Sequence, residues 1–251
     1  MNDMKRFAIY YAPPAGAFAD LAARWLGYDP ATGTSCSQPE LGLPAPRITE
    51  EPRRYGFHGT IKPPFRLAQG VAPGDLDAAV RTLAARLQPV VLPRLRMKLL
   101  DGFLALVPEG DTAPLEALAA QVVRDLDPLR APLTEAEIAR RRPDRLTARQ
   151  RDLLEQWGYP FVMEEFRFHL TLTDRLDPGM ASRAADLLAA HFAPVLPRPF
   201  AVTDLCLFGE PADGPFRLLH RYALTGARAD DSASMNRARP AKGDASLTTS
   251  Q

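Results

Sequence analysis

Apolar positions along the chain fall into short blocks whose spacing predicts alternating strands and helices. Phe7-Ala8-Ile9-Tyr10-Tyr11 is an apolar, aromatic-rich run that stops at Pro13-Pro14, where a hydrogen-bonded ladder cannot continue, and it predicts a strand. Phe18, Leu21, Ala22, Trp25 and Leu26 follow at i, i+3, i+4, i+7 and i+8, the stripe of a helix packed on a sheet. Residues 29–51, rich in Pro, Gly, Ser and Thr, read as a long loop of the kind that is functional or mobile in a compact domain.

The pattern then repeats. FAIYYAPPAGAFADLAARW from Phe7 is echoed by FLALVPEGDTAPLEALAAQV from Phe103, with Leu21-Ala22-Ala23 answered by Leu118-Ala119-Ala120. PGDLDAAVRTLAARLQPVVLPR from Pro73 is echoed by PGMASRAADLLAAHFAPVLPR from Pro178. Between them, YGFHGTIK from Tyr55 is matched by EFRFHLTLT from Glu165, and three similar blocks in one order imply a duplication. Each half reads strand–helix–strand–helix–strand, one repeat at about 5–100 and the other at about 101–226, in a single bilobal domain over 1–226. The second half carries an insertion at about 133–160 with two helical stretches, for which Thr134 with Glu137, and Thr147, are cap elements. Its arginines, among them Arg140, Arg141 and Arg145, read either as a solvated helical face or as a cap that brings one or two cations to an anionic substrate. Residues 227–251 hold no aromatic and few apolar side chains, and they read as a disordered tail.

Between the matched blocks, each half carries one histidine followed two residues later by threonine: Phe57-His58-Gly59-Thr60 and Phe168-His169-Leu170-Thr171. Strand side chains alternate faces, so His and Thr at i and i+2 point the same way. Phe166, Phe168, Leu170 and Leu172 line one face of the second strand, and Arg167, His169, Thr171 and Thr173 the other. In the first strand Phe57 and Ile61 oppose His58, Thr60 and Lys62. A single such pair is ordinary strand composition. Two pairs kept at equivalent positions, in halves that have otherwise diverged, point to one shared site. His191 and His220 have no counterparts and read as surface or packing residues.

Two imidazoles with an ordinary pKa near ~6.5 can divide acid and base roles around one reacting atom near pH 7. The threonine hydroxyls can hydrogen-bond oxygens that gain charge. This set suits in-line hydrolysis of a phosphodiester, with His58, Thr60, His169 and Thr171 catalytic. Lys62, Arg167 and Thr173 are expected as further phosphate contacts, and Tyr10 or Tyr11 as a platform for a base or sugar, since only one of the two faces the core.

Composition narrows the class. The 251 residues carry 31 Lys+Arg against 30 Asp+Glu, a net charge of +1, which argues against a long polyanion or an acidic membrane as the main partner. Hydrophobic and charged fractions of 46% and 24% are those of a globular chain able to bury its own core. Cys36 and Cys206 are far apart and fit no metal or redox spacing; with no h-region at the start and no apolar run long enough to span a bilayer, a cytoplasmic protein is expected. No HExxH, CxxC, GxxxxGK[ST], GxGxxG or GxSxG occurs, so no metal and no cofactor is expected, Asp174 being at most an isolated candidate ligand. The 25 prolines, about twice the usual ~5% share, recur at matching turns such as Pro89 and Pro194.

HGTI at His58 and HLTL at His169 resemble the paired signature of the 2H phosphoesterase superfamily. YGFHGTIKPPF, PLTEAEIARRRPDRLTARQRDLLEQWGYP and EEFRFHLTLTDRL resemble, more narrowly, the DUF1045 family associated with phosphonate-utilisation operons. The resemblance implies an α+β bilobal fold, pseudo-two-fold, with two antiparallel sheets forming a central cleft and helices outside. It also implies metal-independent opening of a cyclic phosphodiester, with a substrate like 5-phosphoribosyl 1,2-cyclic phosphate opened to a ribose bisphosphate. The expected partner is thus a small phosphorylated molecule. Two readings compete: an RNA-end enzyme (2′,3′-cyclic phosphodiesterase or 2′,5′-ligase), which the insertion arginines favour and the net charge does not, and a non-catalytic module that senses a phosphometabolite.

Overall fold

A computed structural model describes Met1 and residues 3–226; the tail expected to be disordered, 227–251, lies outside the described residues. Strand β1 (Met4–Tyr11) runs through the centre of the molecule with both faces covered. Phe7, Ile9 and Tyr11 enter the main core, while Ala8 and Tyr10 join a second cluster with Cys206, Phe208 and Phe216 on the opposite face. That double burial is why its sequence is a continuous apolar run rather than an alternating one.

The predicted first helix is α1 (Ala17–Leu26), which buries Trp25 and Leu26 and ends at Gly27 in the left-handed region. The stretch expected as a loop is more ordered than its composition implies. It holds a two-residue ladder, β2 (Tyr28–Asp29) with β3 (Thr34–Ser35), and two short helices, α2 (Ala45–Ile48) and α3 (Glu50–Tyr55). Arg53 stitches it together by donating to the carbonyls of Leu26 and Pro46 and to the Thr49 hydroxyl.

The remaining elements follow the duplicated plan. In order they are β4 (Gly59–Phe65), α4 (Pro73–Ala84), β5 (Val90–Leu92), β6 (Arg94–Leu100), β7 (Phe103–Glu109) and α5 (Ala113–Leu126). After these come the insertion helices α6 (Glu135–Arg140) and α7 (Ala148–Trp157), then β8 (Leu170–Thr171), α8 (Pro178–Phe192), β9 (Phe200–Val202), β10 (Asp204–Pro211) and β11 (Arg217–Ala223). Both insertion helices begin with a reciprocal cap, Thr134 with Glu137 and Thr147 with Gln150.

The two sheets of the bilobal plan meet edge to edge in one seven-stranded antiparallel sheet, β11-β10-β1-β4-β8-β7-β6. The order is symmetric about the β4–β8 seam, where Gly59 pairs with Leu170. Across that seam β4 answers β8, β1 answers β7, and β10 answers β6. The strand that closes the first repeat, β6, therefore pairs with β7 at the start of the second, and its counterpart β10 pairs with β1 at the start of the first, with β11 added outside it. A second small ladder, β5 with β9, repeats the relation. Leu76 and Val80 of α4, Leu115 and Val122 of α5, and Leu188 and Phe192 of α8 pack into the main core on one side of the sheet. The other side is left for the site. Among the described residues, no helix is long and apolar enough to cross a membrane.

Strand β8 is shorter than its alternation predicts. Beyond Thr171 the amides of Leu172 and Thr173 both reach the Leu104 carbonyl, at 2.8 and 3.3 Å, so two residues face one and the ladder ends in a bulge.

Candidate active site

The seam brings the two motifs together. Gly59 opposes Leu170, and the antiparallel register carried one residue either way sets His58 across from Thr171 and Thr60 across from His169. Directly opposed side chains share a face, and the diagonal His58–His169 pair is separated by about 7–8 Å at the backbone. The two imidazoles thus sit on adjacent strands of one face, one strand from each repeat.

Each ring is fixed in the same way. His58 Nδ1 lies 2.9 Å from the Gly56 carbonyl, and His169 Nδ1 lies 2.8 Å from the Arg167 carbonyl. A carbonyl only accepts, so in both neutral rings Nδ1 carries the hydrogen and Nε2 keeps its lone pair. His58 Nε2 is 3.3 Å from the Thr60 hydroxyl. The Tyr10 ring stacks on His58 at 3.9 Å between centroids, and Phe103 packs on His169 at 5.6 Å. Burial, which strips water from an imidazolium, lowers His58 to about 4; the Gly56 carbonyl opposes this, and the charge of His169 adds to it. His169 is lowered by burial as well. Both rings are therefore neutral at pH 7, where ordinary values allow one to be charged.

A cavity of about 860 Å³ opens over this face, with His58, Thr60 and Thr171 on its wall. His169 lies beside the wall, against Phe103, which does line it. The lining contains eight basic side chains against three acidic ones, in a chain whose net charge is +1. Positive charge is concentrated where the motifs are.

The further expected contacts divide. Lys62 lines the cavity but is buried rather than solvent-facing: its ammonium donates to the Val123 carbonyl at 3.2 Å and lies 3.5 Å from Asp127. Burial lowers it to about 8, against the pull of Asp127. Thr173 also lines the cavity and is buried, its hydroxyl accepting the Leu104 amide at 2.9 Å beside the bulge. Arg167 does not line the cavity; its guanidinium folds onto the Glu164 and Phe166 carbonyls at 2.9 and 2.6 Å. Tyr10 lines the cavity but is largely buried, its ring stacked on the His58 imidazole. Asp174 accepts the Glu50 and Glu51 amides at the start of α3, and among the described residues no group of three His, Cys, Asp or Glu side chains is placed to hold a metal. His191 packs on Phe192 and His220 on Tyr222, as expected of histidines outside the site.

The sequence reading missed Tyr55, Trp157 and Tyr159, which complete the wall beside Arg140 and Arg141. Tyr159 was within reach, since it stands two residues after Trp157 in the insertion as a second large aromatic with no place in an amphipathic stripe. Tyr55 stacks on Phe216, which is distant in sequence, so its surroundings exist only after folding.

Residues 60–217 match the model of a family described as protein of unknown function, DUF1045. The chain belongs to the DUF1045 family. It is 37% identical over 235 residues to a protein of Janthinobacterium sp. (strain Marseille) named ribose 1,5-bisphosphate phosphokinase PhnN, and 38% identical over 223 residues to one of the same name from Laribacter hongkongensis (strain HLHK9). The matches cover 90% and 85% of this DUF1045 chain but 52% and 50% of the two proteins, so the chain spans about half the length of these curated relatives. Among solved structures it is similar to TT0787 of Thermus thermophilus (TM-score 0.44, 17% identity, covering 89% of this chain and 100% of that one). It is likewise similar to E. coli LigT complexed with 3′-AMP (TM-score 0.41, 18% identity, covering 88% and 98%).

Proposed function

We propose that this DUF1045 chain is a phosphodiesterase that opens a small cyclic phosphate ester, using its paired histidines and no metal. The observation that carries the proposal is the pair itself: two imidazoles on one sheet face, each with Nδ1 held by a carbonyl two residues back, each with a threonine hydroxyl on its own strand. His58, the ring driven down to about 4, is the base. It takes a proton from water as the water oxygen bonds to phosphorus. His169 is the acid and gives a proton to the oxygen that leaves as the ring P–O bond breaks. The phosphodiester anion itself recharges His169 on binding, because its negative charge favours imidazolium. Thr60 and Thr171 donate to the phosphoryl oxygens as their charge grows.

The substrate we propose is 5-phosphoribosyl 1,2-cyclic phosphate. Hydrolysis at the 2-position oxygen leaves ribose 1,5-bisphosphate, the compound in the name of the curated relatives. Their kinase activity is not carried over: the matched region is half of each, and this sequence has no phosphate-cradling GxxxxGK[ST].

The test is hydrolysis by the purified chain in EDTA of 5-phosphoribosyl 1,2-cyclic phosphate and of an oligonucleotide ending in a 2′,3′-cyclic phosphate. Turnover of the sugar phosphate survives chelation, and His58→Ala or His169→Ala lowers kcat by about 10²–10⁴-fold. Activity unchanged in either variant, or abolished by EDTA, overturns the mechanism. Preference for the oligonucleotide replaces the sugar substrate with an RNA end, and tight binding of both without turnover leaves a sensing module.

A further inference from the structure

The insertion leaves cations on the cavity wall that the chemistry at the histidines does not use. Of the basic side chains lining the cavity, Arg6 and Arg54 face Glu210, Lys62 and Arg130 face Asp127, and Arg66 is held by Glu137. Arg140, Arg141 and Arg175 line the same cavity, and no carboxylate pairs with any of the three among the described residues; Arg175 follows β8, while Arg140 and Arg141 are the pair that the insertion brings.

Their placement is built rather than incidental. Glu137 lies three and four residues before them, so the three side chains share one side of the α6 turn. Arg66 grips Glu137 with both Nε and Nη2, at 3.1 and 2.9 Å, and this holds the Glu137 carboxyl at about 2; the Thr134 amide donates to the same carboxylate. The turn is thereby pinned to the sheet domain with its arginines facing inward. Arg141 lies 4.7 Å over the Tyr159 ring, which presents its guanidinium with the fork free.

We infer that Arg140 and Arg141 form a second anion subsite, which takes a phosphate monoester carried by the same substrate away from the bond that is broken. This deepens the proposed function and rests on it for the cyclic ester. A monoester carries up to two negative charges near neutral pH against one on a diester, and it has three oxygens for two guanidinium forks to bracket. The cavity, about 860 Å³, leaves room for a sugar and a second phosphate beyond the cyclic ester itself. The substrate class is accordingly a cyclic phosphodiester that also bears a terminal phosphate. The long insertion, absent from the first repeat, supplies that specificity.

The test compares hydrolysis of 5-phosphoribosyl 1,2-cyclic phosphate with that of ribose 1,2-cyclic phosphate, alongside calorimetric binding of ribose 5-phosphate. The native chain prefers the phosphorylated ester by about 10²-fold in kcat/KM, roughly tenfold for each charge-assisted arginine contact. In Arg140→Gln/Arg141→Gln this ratio collapses toward one through KM, and ribose 5-phosphate binds about 10²-fold more weakly. Arg124→Gln/Arg145→Gln, an equal loss of charge away from the cavity, keeps the native ratio. No preference in the native chain, or a preference that survives Arg140→Gln/Arg141→Gln, overturns the subsite while leaving the diesterase reading intact. If neither cyclic ester is opened yet ribose 5-phosphate binds through the two arginines, the subsite stands and the diesterase reading falls. If ribose 5-phosphate does not bind and neither ester is opened, both fall.

Discussion

At His58 two local contacts set the behaviour of the proposed base. The Gly56 carbonyl fixes which nitrogen is protonated, and the stacked Tyr10 ring keeps water from the back of the imidazole. Burial outweighs the carbonyl's help to the charged form, which is why the ring falls from 6.5 to about 4. A histidine lowered on folding binds fewer protons folded than unfolded. Its penalty to stability therefore grows as pH drops from 6.5 to about 4 and levels off below. Proton NMR of the native chain will find a histidine titrating near pH 4, absent in His58→Gln, and the acid limb of kcat/KM will coincide with it. His169, lowered in the same way, must be protonated to act, so its limb lies below 6.5 and the kcat/KM optimum sits on the acid side of neutrality. In Tyr10→Ala the His58 midpoint will return toward 6.5, and the fold will lose about 3–5 kcal/mol, the cost of a large aromatic removed from a packed interior. A His58 midpoint near 6.5 in the native chain would refute this account of the site.

Among the strands, the seam explains why the two motifs differ at their middle residue. Leu170 is fully buried, and its partner Gly59 has no side chain because the Phe168 ring occupies the space: a Cβ at Gly59 would lie 2.4 Å from Phe168 Cζ and 3.2 Å from Leu170 Cδ2. Small against large is what lets strands from the two repeats close up with one direct pair between them. Gly59→Ala forces the Phe168 ring to move inside a close-packed core, a cost of about 1–3 kcal/mol. Because Phe168 precedes His169, the displacement reaches the proposed acid directly. Thermal unfolding of Gly59→Ala will show the loss, and kcat will fall further than the stability change accounts for at temperatures where the variant is fully folded. Full activity in a folded Gly59→Ala would mean that the seam does not set the histidine spacing. Leu170→Ala, on the same core face, should lose stability with a smaller effect on kcat.

For the molecule as a whole, what the sequence made legible was whatever repeats locally. The alternation around His58 and His169, the Leu-Ala-Ala ladders of the helices and the caps at Thr134 and Thr147 are all encoded within a few residues, and all stand in the structure. That Lys62 and Thr173 are buried at the cavity wall could not be read from alternation, which says which face a side chain takes, not what covers that face. The end of α5 covers Lys62, and the Thr173 hydroxyl is taken up by the Leu104 amide beside the bulge after β8. The strand exchange was hidden for a related reason, since β10 meets β1 across some two hundred residues and nothing local marks the partner. That exchange makes a strong claim about folding. Residues 1–101 lack β10, one of the two partners of β1, and β11 outside it, and residues 102–226 lack β6, one of the two partners of β7, so each half exposes unpaired strand edges. The natural place to divide the chain is the two-residue turn at Asp101-Gly102, where both residues have positive φ and no helix is interrupted. Expressed separately, fragments 1–101 and 102–226 will show no cooperative thermal transition. Refolded together they will form a one-to-one complex with the near-ultraviolet circular dichroism of the intact chain and the proposed phosphodiesterase activity, because Thr60 comes from one and His169 from the other. A half that unfolds cooperatively by itself would show that each repeat is an autonomous lobe and that the exchanged strands are incidental to stability.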